Sequence, residues 1–271
     1  MSRSPCWPTL LVIAICSLGM DAYRAGGKQI QRVSGSRVIQ IAAAADLKFA
    51  LEEIIRKFQS RHPDISVKTS YGSSGLFYSQ ILNQAPFDLF YSADLAYPKR
   101  LAALDFAEEK SVFAYAVGSI VLWVPSSSSI DLDKLGMRAL LLTTVRHVAI
   151  ANPKHAPYGR AAEEALRSSG IYDAVREKLV HGENISQALQ FVQSGSAEIG
   201  ILALSLALAP GVESQGRFWK IPSDRYSRME QGGIMLRWAK DSSGTRLFKQ
   251  FLLGDQGRAI LKRYGFGLPG E

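Results

Sequence analysis

Apolar and polar positions alternate through Ile65-Ser66-Val67-Lys68-Thr69-Ser70-Tyr71, the period of a half-buried strand. Gly72-Ser73-Ser74-Gly75 follows, and residues 76–84 then carry Phe77 and Ile81 one helical turn apart. Upstream, Val38-Ile39-Gln40-Ile41-Ala42 predicts a first strand. Ala43-Ala44-Ala45-Asp46 forms the junction, and a helix follows with Leu47, Ala50, Leu51, Ile54, Ile55 and Phe58 on one face. His62-Pro63 ends that unit. Downstream the pattern predicts a buried strand within residues 85–94 and a helix over 97–104. Two β-rich runs, 113–118 and 120–124, are parted by a Gly-Ser pair, and Pro125 with four serines reads as a surface loop near a lobe boundary.

The second half repeats this grammar. Val148-Ala149-Ile150-Ala151 is a short apolar strand that runs through Asn152-Pro153-Lys154-His155-Ala156-Pro157-Tyr158-Gly159 into a helix over 161–167. A helix over 171–178 comes next, then Gly182-Glu183-Asn184 leads into a helix with Ile185, Leu189 and Val192 on one face. Residues 199–202, 219–221 and 234–237 read as strands, and helices over 245–253 and 256–264 close the chain.

Strands alternating with helices indicate an α/β fold with mixed, mostly parallel sheets. In such sheets ligands sit beyond the strand C-termini, where strand-to-helix loops gather. Four loops of this kind are rich in small or polar residues: 44–46, 72–75, 157–159 and 184–186. A helix N-terminus presents unbonded backbone N–H groups and the positive end of the helix dipole. Four of them facing one cleft suit a tetrahedral oxyanion without any cationic side chain. The plainer alternative for Gly72-Ser73-Ser74-Gly75 is an ordinary turn whose Ser caps its helix.

Composition narrows this picture. The 271 residues are 47% hydrophobic and 21% charged, a globular balance that allows one large domain or two lobes. The net charge of +8 is not gathered into a basic run, which argues against a nucleic-acid tail and fits a general attraction for small anions. Residues 10–18 form an apolar run behind Arg3, too short to span a bilayer and suited to the core of a secretory signal. Cleavage after Ala22 or Ala25 is expected, with a buried N-terminal strand as the alternative, and Ile15 is too bulky to precede a lipidated Cys16. Both cysteines, Cys6 and Cys16, fall in this leader, so the mature chain is expected to lack thiolate and disulfide chemistry.

Other chemistries find little support. None of His62, His147, His155 and His181 has a ligating partner at helical spacing, so no metal site is expected. Neither a Gly-x-Ser-x-Gly elbow nor a phosphate-binding Gly motif occurs. Ser73 or Ser74 with His155 is conceivable as nucleophile and base, without a third orienting group.

The ordered set Ala42-Ala43-Ala44-Ala45-Asp46-Leu47, Tyr71-Gly72-Ser73-Ser74-Gly75, Ala85-Pro86-Phe87-Asp88-Leu89-Phe90 and Asn152 through Gly159 resembles the periplasmic molybdate-binding proteins of ABC transporters. The ending Ile260-Leu261-Lys262-Arg263-Tyr264-Gly265-Phe266 is similar too, so the resemblance runs from about residue 38 to the C-terminus. It implies a two-lobed type II periplasmic binding protein with a two-strand hinge. Lobe 1 is expected over 38–118 and 223–271 and lobe 2 over 119–222, behind a signal peptide over 1–25 and a tether over 26–37. The resemblance places oxyanion contacts at Ala45, Ser73, Ser74, Tyr158 and, through its N–H, Ile185, and Asp46 beside Ala45 is counted with the ligand-binding residues.

Two departures stand out. Ala45 lacks the hydroxyl usual at its position, and a Tyr of some members is replaced by Ala203, so the Tyr158 phenol is expected to substitute. Asp46 is expected to cap its helix, its carboxylate turned to the N–H of Lys48 or Phe49; the alternative is a cleft-facing carboxylate that accepts the proton of phosphate and repels a dianion such as molybdate. The implied protein is no enzyme and needs no cofactor. It is a periplasmic monomer that captures molybdate, with tungstate, and hands it to a membrane permease. The alternatives are a receptor for sulfate or phosphate, a serine hydrolase, and the sensor domain of a transcription regulator.

Overall fold

The computed structural model describes residues 37–107 and 109–271. The expected signal peptide, and the expected tether up to residue 36, lie outside them. Arg37, expected to end the tether, instead begins the first strand. Its guanidinium bonds Asp241 at 2.7 Å and Asp64 at 3.1 Å, which ties the strand's start into the fold.

In chain order the strands are β1 (Arg37–Ala44), β2 (Ile65–Gly72), β3 (Leu89–Ser92), β4 (Phe113–Gly118), β5 (Ile120–Pro125), β6 (Val148–Ala151), β7 (Leu179–Gly182), β8 (Ile199–Ala203), β9 (Gly216–Lys220) and β10 (Met229–Met235). The helices are α1 (Lys48–Arg61), α2 (Ser74–Leu82), α3 (Ala96–Ala103), α4 (Leu132–Leu135), α5 (Pro157–Ser168), α6 (Tyr172–Val175), α7 (Ile185–Gln193), α8 (Leu204–Ala207), α9 (Ser242–Leu253) and α10 (Asp255–Arg263). Several expected elements are trimmed. The strand read within 85–94 shrinks to β3, because the Asp88 carboxylate there accepts the N–H groups of Gln40 and Lys240. The helix read over 171–178 breaks after Val175 into a 3₁₀ turn, Arg176–Lys178.

Two five-stranded sheets form, in the orders β2-β1-β3-β10-β4 and β7-β6-β8-β5-β9. Each joins parallel pairs, β1 with β2 and β3 or β6 with β7 and β8, to an antiparallel remainder. Interior strands read as unbroken apolar runs because both faces are covered. All of Ile199–Ala203 is buried, as is Ile120 through Val124. Along β1 the period of two sorts side chains between faces. Ile39, Ile41 and Ala43 pack with Leu51, Ile54 and Phe58 of α1, whereas Ala42 packs with Phe77 and Ile81 of α2.

The chain crosses between sheets twice. Only Ser119 separates β4 from β5, so this crossing is nearly one continuous strand. The return, from Lys220 at the end of β9 to Met229 at the start of β10, takes residues 221–228. Each sheet forms the body of one lobe, and the two strand crossings join them side by side.

Candidate functional site

Five strand ends converge between the lobes. β1 runs into the 3₁₀ turn Ala45–Leu47, β2 into α2, β3 into Ala93, β6 into the loop before α5, and β7 into α7. They enclose a cavity of about 10 Å³ lined by Ala45, Asp46, Ser73, Ser74, Tyr158 and Ile185, with Ala93, Ala156 and Asn184 among the rest. All six residues proposed from the sequence therefore stand around one space. A second cavity, about 520 Å³, opens nearer the strand crossings between Asp94, Arg160, Arg228 and Glu230. Its charges are of mixed sign and Arg160 is paired to Asp94 at 2.6 Å. The small cavity is the one with concerted chemistry.

Backbone donors gather at it for a geometric reason. The first N–H groups of a helix have no intrahelical acceptor. In α7, Asn184 Oδ1 accepts from Ser186 at 3.0 Å and Gln187 at 3.1 Å, which leaves the Ile185 N–H for the pocket. In α5, Pro157 has no N–H to offer, so that of Tyr158 is the first. Ser74 opens α2, fully buried, and its Oγ accepts the Ala93 N–H at 3.0 Å, which leaves its own proton to donate. No Lys or Arg lines this pocket among the described residues.

Ser73 takes a different part. As the residue before α2 it makes no capping bond, contrary to the plain-turn expectation, and its Oγ lies 2.9 Å from His155 Nδ1 across the cleft. The Gly75 N–H also crosses, to the His155 carbonyl at 2.9 Å. A Cβ added at Gly75 would stand 2.6 Å from that carbonyl, so Gly alone permits this approach. Ser186 Oγ to the Ala45 carbonyl, at 3.1 Å, is a further bond between the two walls. Among the described residues no carboxylate bonds the other ring nitrogen of His155, so the Ser73–His155 pair lacks the third member of a hydrolytic triad.

Asp46 departs most from expectation. It does not cap α1, whose N-cap position is Leu47 and carries no side-chain bond. The carboxylate turns into the floor of the cleft, 1% exposed. Its Oδ2 accepts from Tyr158 Oη at 2.9 Å and from Gln231 Nε2 at 2.6 Å. Gln231 also donates to Tyr158 Oη at 3.1 Å, and its Oε1 accepts from Tyr115 Oη at 2.8 Å. Asp46 Oδ1 is buried with no hydrogen-bond partner among the described residues. Burial pushes the carboxyl up to about 6, against the pull of Gln231, Tyr158 and the nearby N–H groups of Asp46 and Leu47. Burial likewise holds the Tyr158 phenol well above its ordinary range, with the Asp46 charge adding to the effect. The Tyr158 phenol, expected to face the ligand, thus donates to Asp46, and its backbone N–H is what remains for the pocket.

Gln231 and Tyr115 escaped the sequence reading. Gln231 sits before Gly232-Gly233, which hid the start of β10, and only its polarity inside a buried strand marks it.

Two α/β lobes closed over a small, donor-lined pocket define a solute receptor. The profile of bacterial extracellular solute-binding proteins matches residues 39–267, and the chain belongs to that family. It is 37% identical over 230 residues to the molybdate-binding protein ModA of Azotobacter vinelandii, covering 85% of this chain and 90% of that one. To ModA of Rhodobacter capsulatus it is 34% identical over 252 residues, covering 91% and 97%. The solved periplasmic molybdate-binding protein of A. vinelandii superposes with a TM-score of 0.79 at 30% identity, covering 85% of this chain and 99% of that structure. The sulfate-binding protein SubI of Mycobacterium tuberculosis, at 15% identity and a TM-score of 0.68, shares the fold.

Proposed function

We propose that this protein captures molybdate, and tungstate with it, in the pocket between its lobes, and delivers it to an ABC permease. The reading includes export through an N-terminal signal, a periplasmic location, action as a monomer, and neither catalysis nor a cofactor. The observation that carries it is the pocket itself. Helix N-termini from both lobes and the Ser74 hydroxyl offer donors, and among the described residues no cation lines it. Such a site holds a fully ionised tetrahedral anion by hydrogen bonds and helix dipoles. The relatives named above support molybdate as that anion.

The test is thermal unfolding of the purified mature protein with a panel of sodium salts. A ligand bound only by the folded form adds roughly 2.7 kcal/mol at a hundredfold excess over its Kd. Molybdate and tungstate should raise Tm, sulfate and phosphate less, and chloride not at all. A larger shift with sulfate or phosphate would reassign the ligand, and no shift with any oxyanion would sink the reading. The Ser73–His155 pair favours one competitor, ester hydrolysis. Turnover of a nitrophenyl ester that disappears in Ser73→Ala would establish it.

A further inference from the structure

The floor of the pocket poses an electrostatic problem. The site is built to receive an anion, yet Asp46 lines it with a buried carboxyl group. No Lys, Arg or His bonds this carboxylate among the described residues. Its partners are neutral: the Tyr158 phenol from α5 and the Gln231 amide from β10, both on Oδ2. Behind them stands Tyr115 of β4, on the far side of Gln231. From α8, Ser205 Oγ bonds the Asp46 carbonyl at 2.8 Å and leaves the carboxylate alone. The titratable groups facing Asp46 are therefore the phenols of Tyr158 and Tyr115, both held neutral by burial. Beside the pocket, bonded to its Ser73, stands the titratable His155. Among the described residues Oδ1 accepts no hydrogen bond, although the N–H groups of Asp46 and Leu47 lie near the carboxylate. A buried carboxylate beside a buried dianion has like charges at close range in a weakly screening medium, and neither can move away.

We propose that Asp46 couples capture to a proton: the pocket takes its dianion together with one hydrogen ion, which the Asp46 carboxyl carries on Oδ1. Neutralised, the group ceases to repel the ligand, and Oδ1 changes from an acceptor without a donor into a hydroxyl donor. Oδ2 keeps both its bonds, so the Tyr158 contact that joins the lobes survives the change, as does the Gln231 contact within lobe 1. Burial already moves the carboxyl in this direction before any ligand arrives. Asp46 thereby sets the pH range of the receptor, and it disfavours the dianion as pH rises. The inference rests on the oxyanion reading given above.

Calorimetric titration with sodium molybdate between pH 6.5 and 8.5, in two buffers of different ionisation enthalpy, tests it. The expected result is uptake of about one proton per molybdate, with affinity falling up to about tenfold per pH unit. In Asp46→Asn both the uptake and the slope should vanish, and affinity at pH 8.5 should exceed that of the parent. In His155→Gln both should persist. Binding by the parent without proton uptake would overturn the proposal, whatever the variants do. Uptake that survives in Asp46→Asn, or that disappears in His155→Gln alone, would overturn it too. Absence of binding heat at every pH is a different failure, since it removes the molybdate reading and this inference with it.

Discussion

The N-termini of α2 and α7 face the same pocket and are finished in opposite ways. At α7 the preceding Asn184 caps locally, accepting two first-turn N–H groups within its own lobe. At α2 the preceding Ser73 caps nothing, and its hydroxyl and the Gly75 N–H both bond to His155 of the opposite lobe. The lobe 2 end is therefore complete before the lobes meet, with the Ile185 N–H held ready. The lobe 1 end is completed only by contact with lobe 2. One helix end is capped within its own lobe, and the other is completed across the cleft.

The largest effect that would test this contrast falls at Ser74. Its hydroxyl would donate to a charged acceptor, a bond worth about 1.5–3 kcal/mol. Ser74→Ala should weaken molybdate binding ten- to hundredfold by calorimetry, and should also lower Tm of the free protein, because the buried Ala93 N–H loses its acceptor. Unchanged affinity would reduce the α2 end to an ordinary turn. At α7, Asn184→Ala should remove about 1 kcal/mol of stability through loss of the cap, with or without ligand. Denaturant unfolding measures this, and a cost seen only in the bound form would contradict the idea of a preformed wall. The smallest effect belongs to Ser73→Ala. The free protein should change by less than about 0.5 kcal/mol, while affinity drops roughly fivefold, the net worth of one hydrogen bond. A free-protein loss equal to that of Asn184→Ala would erase the difference between the two ends.

How far the sequence carried the structure depends on distance along the chain. The β1–α1 and β2–α2 units were legible because alternation, helical spacing and Gly-Ser punctuation act within a few residues. The convergence of Ala45, Ser73, Tyr158 and Ile185 was legible from the α/β rule and the family resemblance together. Asp46 was misjudged because a local rule competed with remote partners. Asp is a good helix cap, but Tyr158 and Gln231 lie 112 and 185 positions away and offer two donors at once. Nothing near residue 46 announces them. The Ser73–His155 bond spans 82 positions; the sequence suggested the pair only as a conceivable nucleophile and base, since nothing local chooses between Ser73 and Ser74.

The place of β10 carries a consequence for how the molecule is made. In the first sheet it lies between β3 and β4, yet it is the last strand of the chain. Until residues 229–235 exist, β4 has no neighbour in that sheet, and β3 has an open edge. The second sheet, by contrast, is complete once β9 ends at Lys220. A chain emerging N-terminus first can thus assemble lobe 2 while lobe 1 waits with an unfilled slot, its exposed strand edges open to pairing with other chains. Aggregation during folding should accordingly track truncations that remove β10, rather than damage to the pocket.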